Sequence, residues 1–325
     1  MNDLFEPFHR LLEQLSTPET IRQAEAGDHG SGWQILCESG FLDALVPEAR
    51  GGAGLAPAEV APLFISCGHF LVPYGVAETV VARALVASAG ESLPDGPVVL
   101  WPEDHAGRLR SVIAPALGGA THALIQRGSR ACVKPLSHAS AGVDGYHIIQ
   151  AAIDGDAAPL FEFDLAADQL MNWAATLVSA SMAGAMSRVL AMTLEHVNHR
   201  QQFDRPLARF QAVQQQISVM AERVAAANVA ARAALMRDLP GPDTLDAAVA
   251  KTINDSAATL VANTAHAAHG AIGITAEHDL SLYVRRLKRW QLSFGSATHW
   301  SNIIGARRLA YTAGNSVDFL REPRR

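Results

Sequence analysis

The sequence predicts an α+β fold in three parts: a helical domain over 1–92, a small β-rich domain over 93–165, and a C-terminal four-helix bundle domain over 166–325. Three observations predict it. Apolar residues step by three and four near the N-terminus and again through the C-terminal half. Between these regions, short β-branched and aromatic runs alternate with Gly, Pro, Asp and Ser. In the C-terminal half, Leu239-Pro240-Gly241-Pro242 interrupts an otherwise continuous helical pattern.

In chain order, Phe8, Leu11, Leu12 and Leu15 share one helical face, and Leu63, Phe64, Cys67 and Leu71 repeat the spacing. Between them lies Arg50-Gly51-Gly52-Ala53-Gly54. It lacks both the Lys-Ser/Thr and the strand-then-helix setting of a phosphate loop, so a structural turn is expected. Val98-Val99-Leu100, Val112-Ile113, Leu124-Ile125, Tyr146 to Ile149 and Leu160 to Phe163 read as strands of a small sheet or barrel. Long helices are expected over Leu170 to Arg200, Gln211 to Asp238, Asp243 to His269 and Ala276 to Trp290, with a final one over Ala297 to Leu320. Phe210, Val213, Ile217, Met220 and Val224 form the packing seam of the second.

Composition bounds the function. With 49% apolar and 18% charged residues the chain is globular rather than disordered. Its net charge of −6 gives no reason to expect a nucleic-acid partner. Three cysteines, Cys37, Cys67 and Cys132, without Cys-x-x-Cys spacing suggest neither a disulfide framework nor zinc, and a reducing cytoplasm is expected. Charged residues intersperse Met1 to Arg10, so no signal peptide is expected. Ser256 to Ala276 carries no formal charge, but its Asn, His and Gly residues point to a buried helix and its end, so no membrane segment is expected.

The stretch Arg200-Gln-Gln-Phe-Asp-Arg-Pro-Leu-Ala-Arg-Phe-Gln211 is the focus of the chemistry. Pro206 lacks an N–H and separates two helices. Arg205 and Arg209 bracket the start of the second helix, where the dipole favours anions. The residues alone fit either a solvated basic loop or a phosphate site. His196 and His199 stand on one helical face, but without a third ligand nearby they read as satisfied histidines rather than a metal site. The small residues from Ala174 to Ala185 read as a close helix-packing surface, with a widened acyl pocket as the alternative.

Together with His269 to Leu280 (His-Gly-Ala-Ile-Gly-Ile-Thr-Ala-Glu-His-Asp-Leu) and Gly40 to Leu55, this stretch resembles the acyl-CoA dehydrogenase family of flavoproteins. The resemblance covers nearly the whole chain, most clearly its C-terminal half and least between Glu91 and Leu165. It implies FAD shared across a subunit interface. An Arg-x-x-Phe-Gly pattern and a following Phe-Gln would grip the pyrophosphate and adenosine, and Arg200, Phe203, Phe210 and Gln211 match these positions. A forked, always-charged guanidinium suits a pyrophosphate. Asp204 replaces the family's glycine. Of the Gln-x-x-Gly-Gly pattern, found here as Ala267 to Ala271, only His269 and Gly270 carry over. The flavin-facing Thr-Glu-Pro segment has no counterpart; Trp101-Pro102-Glu103 is the nearest stretch.

The resemblance also implies a carboxylate that removes the proton α to an acyl-CoA thioester while hydride passes to the flavin. Its two family positions fall on Phe294 and Ala174, neither of which accepts a proton, and Glu195 and Glu277 read as surface or capping carboxylates. The chain therefore resembles the degenerate short subunit of the heterotetrameric steroid-degradation type. The expected partners are a homologous subunit supplying the base, or further copies of itself in a homodimer or homotetramer. The alternatives are a flavin-free scaffold homologue and a self-sufficient dehydrogenase with an unforeseen base.

Overall fold

The computed structural model describes residues 6–28, 30–102, 119–136, 139–140, 150–151 and 158–321. The N-terminal helices are α1 (Glu6–Leu15), α2 (Pro18–Glu25), α3 (Gly32–Glu38), α4 (Pro57–His69) and α5 (Val76–Ser88). Local chemistry starts two of them, α2 and α4: Thr17 accepts the Thr20 N–H at 3.2 Å ahead of Pro18, and the Glu59 carboxylate accepts the Ala56 N–H at 2.9 Å ahead of Pro57. The glycine-rich stretch is a structural turn, as expected. Gly51 takes φ 87° to end a 3₁₀ turn, and a Cβ on Gly52 would sit 2.2 Å from the Val46 carbonyl oxygen.

The strands are β1 (Val98–Pro102), β2 (His122–Arg127), β3 (Arg130–Pro135), the short pair β4 (Ala139–Ser140) and β5 (Gln150–Ala151), and β6 (Phe161–Asp164). The main sheet has the order β1-β2-β3-β6, with β1 and β2 parallel and the other pairs antiparallel. Alternation splits its side chains. Val98, Leu100, Leu124, Val133 and Phe163 join the main core, whereas Val99, Trp101, Ala123 and Ile125 form a second cluster on the opposite face. Strand β3 was not expected, because its charged ends leave only Ala131, Cys132 and Val133 as an apolar run. The runs Val112-Ile113 and Tyr146 to Ile149, and Glu103, lie outside the described residues.

The C-terminal region holds α6 (Gln169–His199), a two-residue strand pair β7 (Gln201–Gln202) and β8 (Arg205–Pro206), α7 (Gln211–Ala234), α8 (Thr244–His269), α9 (Leu280–Leu292), α10 (Ala297–Ala310) and α11 (Ser316–Arg321). Helices α6 to α9 form the bundle, and α6 is its axis. Leu170, Trp173, Leu177 and Ala183 pack with α4, α5 and the sheet, while Val178, Met182, Met186 and Val189 pack with α7, α8 and α9. Helix α6 is long and apolar enough to cross a membrane, yet most of that stretch is buried inside the protein. Its small residues serve close packing: a Cβ on Gly184 would lie 1.9 Å from the Ile65 carbonyl oxygen, and one on Gly68 1.8 Å from that of Ser181.

Three helix ends differ from expectation. Helix α7 stops at Ala234 rather than Asp238, because Arg237 turns out to pair with Asp243 and Asp246. Helix α9 begins at Leu280 rather than Ala276, where the Leu280 N–H donates to His278 Nδ1 at 3.1 Å, so Glu277 opens no helix. The final helix divides in two, and Asn315 Oδ1 caps the second part by accepting the Val317 N–H at 2.8 Å.

Candidate functional site

The stretch from Arg200 to Gln211 is a hairpin followed by a 3₁₀ turn, rather than a plain helix-to-helix corner. Gln202 pairs with Arg205, and the intervening Phe203 and Asp204 both adopt the left-handed conformation, at φ 51° and 58°. That is the turn which matches strand twist in a two-residue hairpin. The Leu207 N–H then donates to the Arg200 carbonyl at 2.9 Å and closes the loop. Asp204 thus occupies a position that demands positive φ, where glycine is the default and aspartate among the tolerated alternatives.

The side chains stand outward. Phe203 is 85% exposed, its ring edge-on to Phe210 at 6.2 Å, and the Arg205 guanidinium lies 4.0 Å from the centre of the Phe210 ring. Arg200, Arg205, Arg209 and Gln211 are exposed at the corner that leads into the N-terminus of α7. The hairpin therefore presents three guanidiniums and two aromatic rings on one outward-facing corner.

His269 and Gly270 behave differently. Gly270 ends α8 with φ 64°, but the His269 ring is only 6% exposed and turns inward. Its Nδ1 donates to the Ala265 carbonyl at 2.8 Å, and its buried Nε2 has no partner. The ring stacks on His196 at 4.3 Å and meets His278 edge-on at 5.0 Å, so the ends of α6 and α8 join through histidines. Desolvation and the neighbouring histidines hold the pKa values of His196 and His269 below the usual imidazole range. Among the described residues no group of three could hold a metal ion.

The two family base positions carry packed apolar side chains, buried at Ala174 and partly buried at Phe294. Ala174 is 2% exposed among Leu170, Trp173 and Leu177. Phe294 takes a left-handed backbone at φ 52°, and its ring packs against the main core, the bundle core and the cluster around Trp300. Trp300 Nε1 donates to the Phe294 carbonyl at 2.9 Å, and Gly295 follows at φ 90°, so this turn is pinned from both sides. The buried pair Lys251–Asp255, 2.7 Å apart, lies behind it; Gln291 Nε2 donates to the Asp255 carbonyl at 2.6 Å. Glu195 and Glu277 are both exposed.

Sequence reading missed Glu78. It lies in the first turn of α5, only partly exposed and without an ion pair among the described residues. Desolvation pushes its pKa up to about 7, against the opposing effects of its own backbone N–H and the Arg286 charge. Arg286 itself is committed to Glu25 at 3.4 Å. The available signal was an acidic residue amid Val76-Ala77 and Thr79-Val80-Val81, a run that is otherwise buried.

A helical layer, a small sheet and a helical bundle with a cationic corner at the head of a long helix define the class: this is the acyl-CoA dehydrogenase fold. Residues 163–309 match the family model described as the acyl-CoA dehydrogenase C-terminal domain. The acyl-CoA dehydrogenase IpdE2 of Mycobacterium tuberculosis is 31% identical over 291 residues, covering 85% of this chain and 87% of that protein. The ChsE4–ChsE5 complex from Mycobacterium tuberculosis superposes with a TM-score of 0.77 at 22% identity, covering 96% of this chain and 97% of the other. The Tcur3481–Tcur3483 steroid ACAD does so at 0.74 and 21%, covering 92% and 94%. The chain belongs to the acyl-CoA dehydrogenase family. At family level it is an oxidoreductase of the type that acts on CH–CH bonds, and a flavoprotein.

Proposed function

We propose that this chain is one subunit of a flavin-dependent acyl-CoA dehydrogenase and that a homologous partner polypeptide supplies the carboxylate that removes the α-proton. The observation that carries this reading is that both family base positions hold apolar side chains, the partly buried Phe294 packed against three apolar clusters and the buried Ala174. No group there accepts a proton. The likeness to a two-component complex supports a partner of the same fold, and the steroid ACAD neighbour supports a steroid-derived acyl thioester as substrate.

FAD fits the cationic corner. Arg200 has the charge and fork for a pyrophosphate, and Arg205 and Arg209 add positive potential at the N-terminus of α7, where helix N–H groups favour an anion. Phe203 and Phe210 offer apolar faces beside it, and Gln211 a polar head at the first turn of α7. A flavin held there would supply the acceptor for the β-hydride of the thioester. On this reading Gly270 belongs to the adenosine side as backbone. His269, being inward-facing, keeps the α8 end in register with α6 and offers its one unpartnered nitrogen, Nε2, as an acceptor.

The test is purification of the chain alone and with its homologous partner. The co-purified pair should be yellow and dehydrogenate acyl-CoA, and the chain alone should not. Dehydrogenation by the chain alone would overturn the borrowed base, and its loss in Glu78→Gln would then identify the internal carboxylate responsible. The alternative, a flavin-free scaffold, predicts protein that stays colourless with partner and added FAD.

A further inference from the structure

Four histidines meet where the ends of α6 and α8 approach the start of α9. His196 comes from the last turn of α6, His266 and His269 from the last turn of α8, and His278 from the connector ahead of α9. The His196 ring stacks on His269 at 4.3 Å, and His278 meets His269 edge-on at 5.0 Å. The 3₁₀ turn Gly270–Ile274 lies against the same group: a Cβ on Gly273 would sit 2.8 Å from the His269 Cβ and 3.6 Å from His266 Nδ1. Two ring nitrogens, His269 Nε2 and His266 Nδ1, are buried without a hydrogen-bond partner. A metal does not account for the cluster, since among the described residues no set of three donors is placed to hold one.

The bonds around the cluster need neutral rings. His278 Nδ1 accepts the Leu280 N–H at 3.1 Å at the start of α9, and an imidazolium has no lone pair with which to do so. His269 already donates Nδ1–H to the Ala265 carbonyl at 2.8 Å, so a second proton would go onto the buried, unpartnered Nε2. The charges acting on His196 are those of His278 and Arg200, and those acting on His269 are His196, His278 and His266; no carboxylate is among them. Glu195 and Glu277 are exposed, and Asp279 is committed to Arg22 of α2 at 2.8 Å. The C-terminal dipoles of α6 and α8 favour a cation here. Burial and the neighbouring positive groups outweigh them, because both His196 and His269 are held below the usual imidazole range.

We propose that these four histidines are an acid-sensitive latch: neutral rings tie the end of α6 to the end of α8 and the start of α9, and protonation opens that junction. Below the ordinary imidazole value of 6.5 the opened segment takes up protons that the closed stack resists, so closure weakens as pH falls; above it these groups add no pH dependence. The cationic corner is one bond away on each side. The Arg200 N–H donates to the His196 carbonyl at 2.8 Å and the Gly270 N–H to the His266 carbonyl, so opening loosens both. The latch goes beyond the redox reading and needs neither flavin nor base.

Hydrogen exchange of the full-length chain, with each rate corrected for the intrinsic pH dependence of amide exchange, tests it. Protection from His266 to Leu280 should fall about tenfold or more between pH 8 and pH 5, tenfold being the effect of one pKa unit, while protection in the middle of α7 stays level. The double variant His196→Phe, His278→Asn keeps a ring on the stack and an oxygen to accept the Leu280 N–H, but neither new side chain titrates in this range. Its loss of protection should shrink to about threefold or less. Wild-type protection that is equal at the two pH values overturns the proposal, as does a double variant that loses as much as the wild type. Titration of carbon-13-labelled imidazoles in the wild type makes the test independent of how the variant folds. The cluster's midpoints should coincide with the fall in protection, and a fall without those titrations overturns the latch.

Discussion

Glu78 allows a stability experiment whose sign is fixed in advance. In the unfolded chain its carboxyl titrates near 4.5, whereas burial in the folded state moves it to about 7. Below the lower value it is neutral in both states and contributes no pH dependence. Between the two, the folded protein holds a proton the unfolded chain has released, so stability falls as pH rises; above the upper value the loss is constant. At about 1.4 kcal/mol per pKa unit, this upper plateau amounts to roughly 3 kcal/mol. Replacing Glu78 with glutamine removes the charge but keeps the size and polarity. Urea unfolding at pH 5 and pH 8 should therefore show Glu78→Gln more stable than the wild type at pH 8 by on the order of 2–3 kcal/mol, and close to it at pH 5. A gain that is the same at both pH values, or a loss at pH 8, refutes the reasoning and implies an ionised Glu78 in a satisfied site. A carboxylate kept at a net cost in stability is a signature of functional positions, so the same variant bears on catalysis.

Other perturbations follow from single contacts. Arg200→Ala should lose FAD during purification and Arg200→Lys retain part of it, measured as the flavin-to-protein absorbance ratio, because lysine keeps the charge but not the fork. Asp204→Gly should stabilise the hairpin by about 1 kcal/mol by relieving a left-handed residue, and should raise FAD affinity by removing an anion beside the pyrophosphate; unchanged flavin affinity would place the phosphates elsewhere. Gly184→Ala should cost about 1–3 kcal/mol in urea unfolding, because a methyl there meets the Ile65 carbonyl oxygen at 1.9 Å. Asp255→Asn should cost about 3–5 kcal/mol by leaving the Lys251 ammonium buried and unpaired, and the protein should unfold at lower urea than Gly184→Ala.

The architecture was legible because each part repeats its signal. The bundle helices carry apolar periodicity over several turns, and Leu239-Pro240-Gly241-Pro242 combines two prolines with a glycine, so the break between α7 and α8 could be read without tertiary information. Helix ends were less legible because side chains remote in sequence decide them. Arg237 leaves the helical path for Asp243 and Asp246, which lie in the next element. Strand β3 shows the same limit, since its pairing with β2 through Gly128-Ser129 supplies order that its own composition does not announce.

The site divides along the same line. Arg200, Phe203, Phe210 and Gln211 are local in sequence, so pattern matching could find them together, and the left-handed φ at Asp204 supplies the physical reason a glycine-preferring position admits aspartate. His269 was legible as a position but not as an orientation: only the approach of α6 to α8 turns its ring onto His196. Glu78 escaped because a buried carboxylate has the same one-letter code as a solvated one, and its environment comes from α4, α5 and α9. Phe294 carries the converse lesson. As a letter it marks a missing base, but its backbone is held left-handed by Trp300 and its ring fills the junction of three apolar clusters. Returning a glutamate to that position would set a carboxylate against three apolar clusters. On the proposed reading, the side chain that stands in place of the base is also a packing residue, which fits a chain whose chemistry is completed from outside.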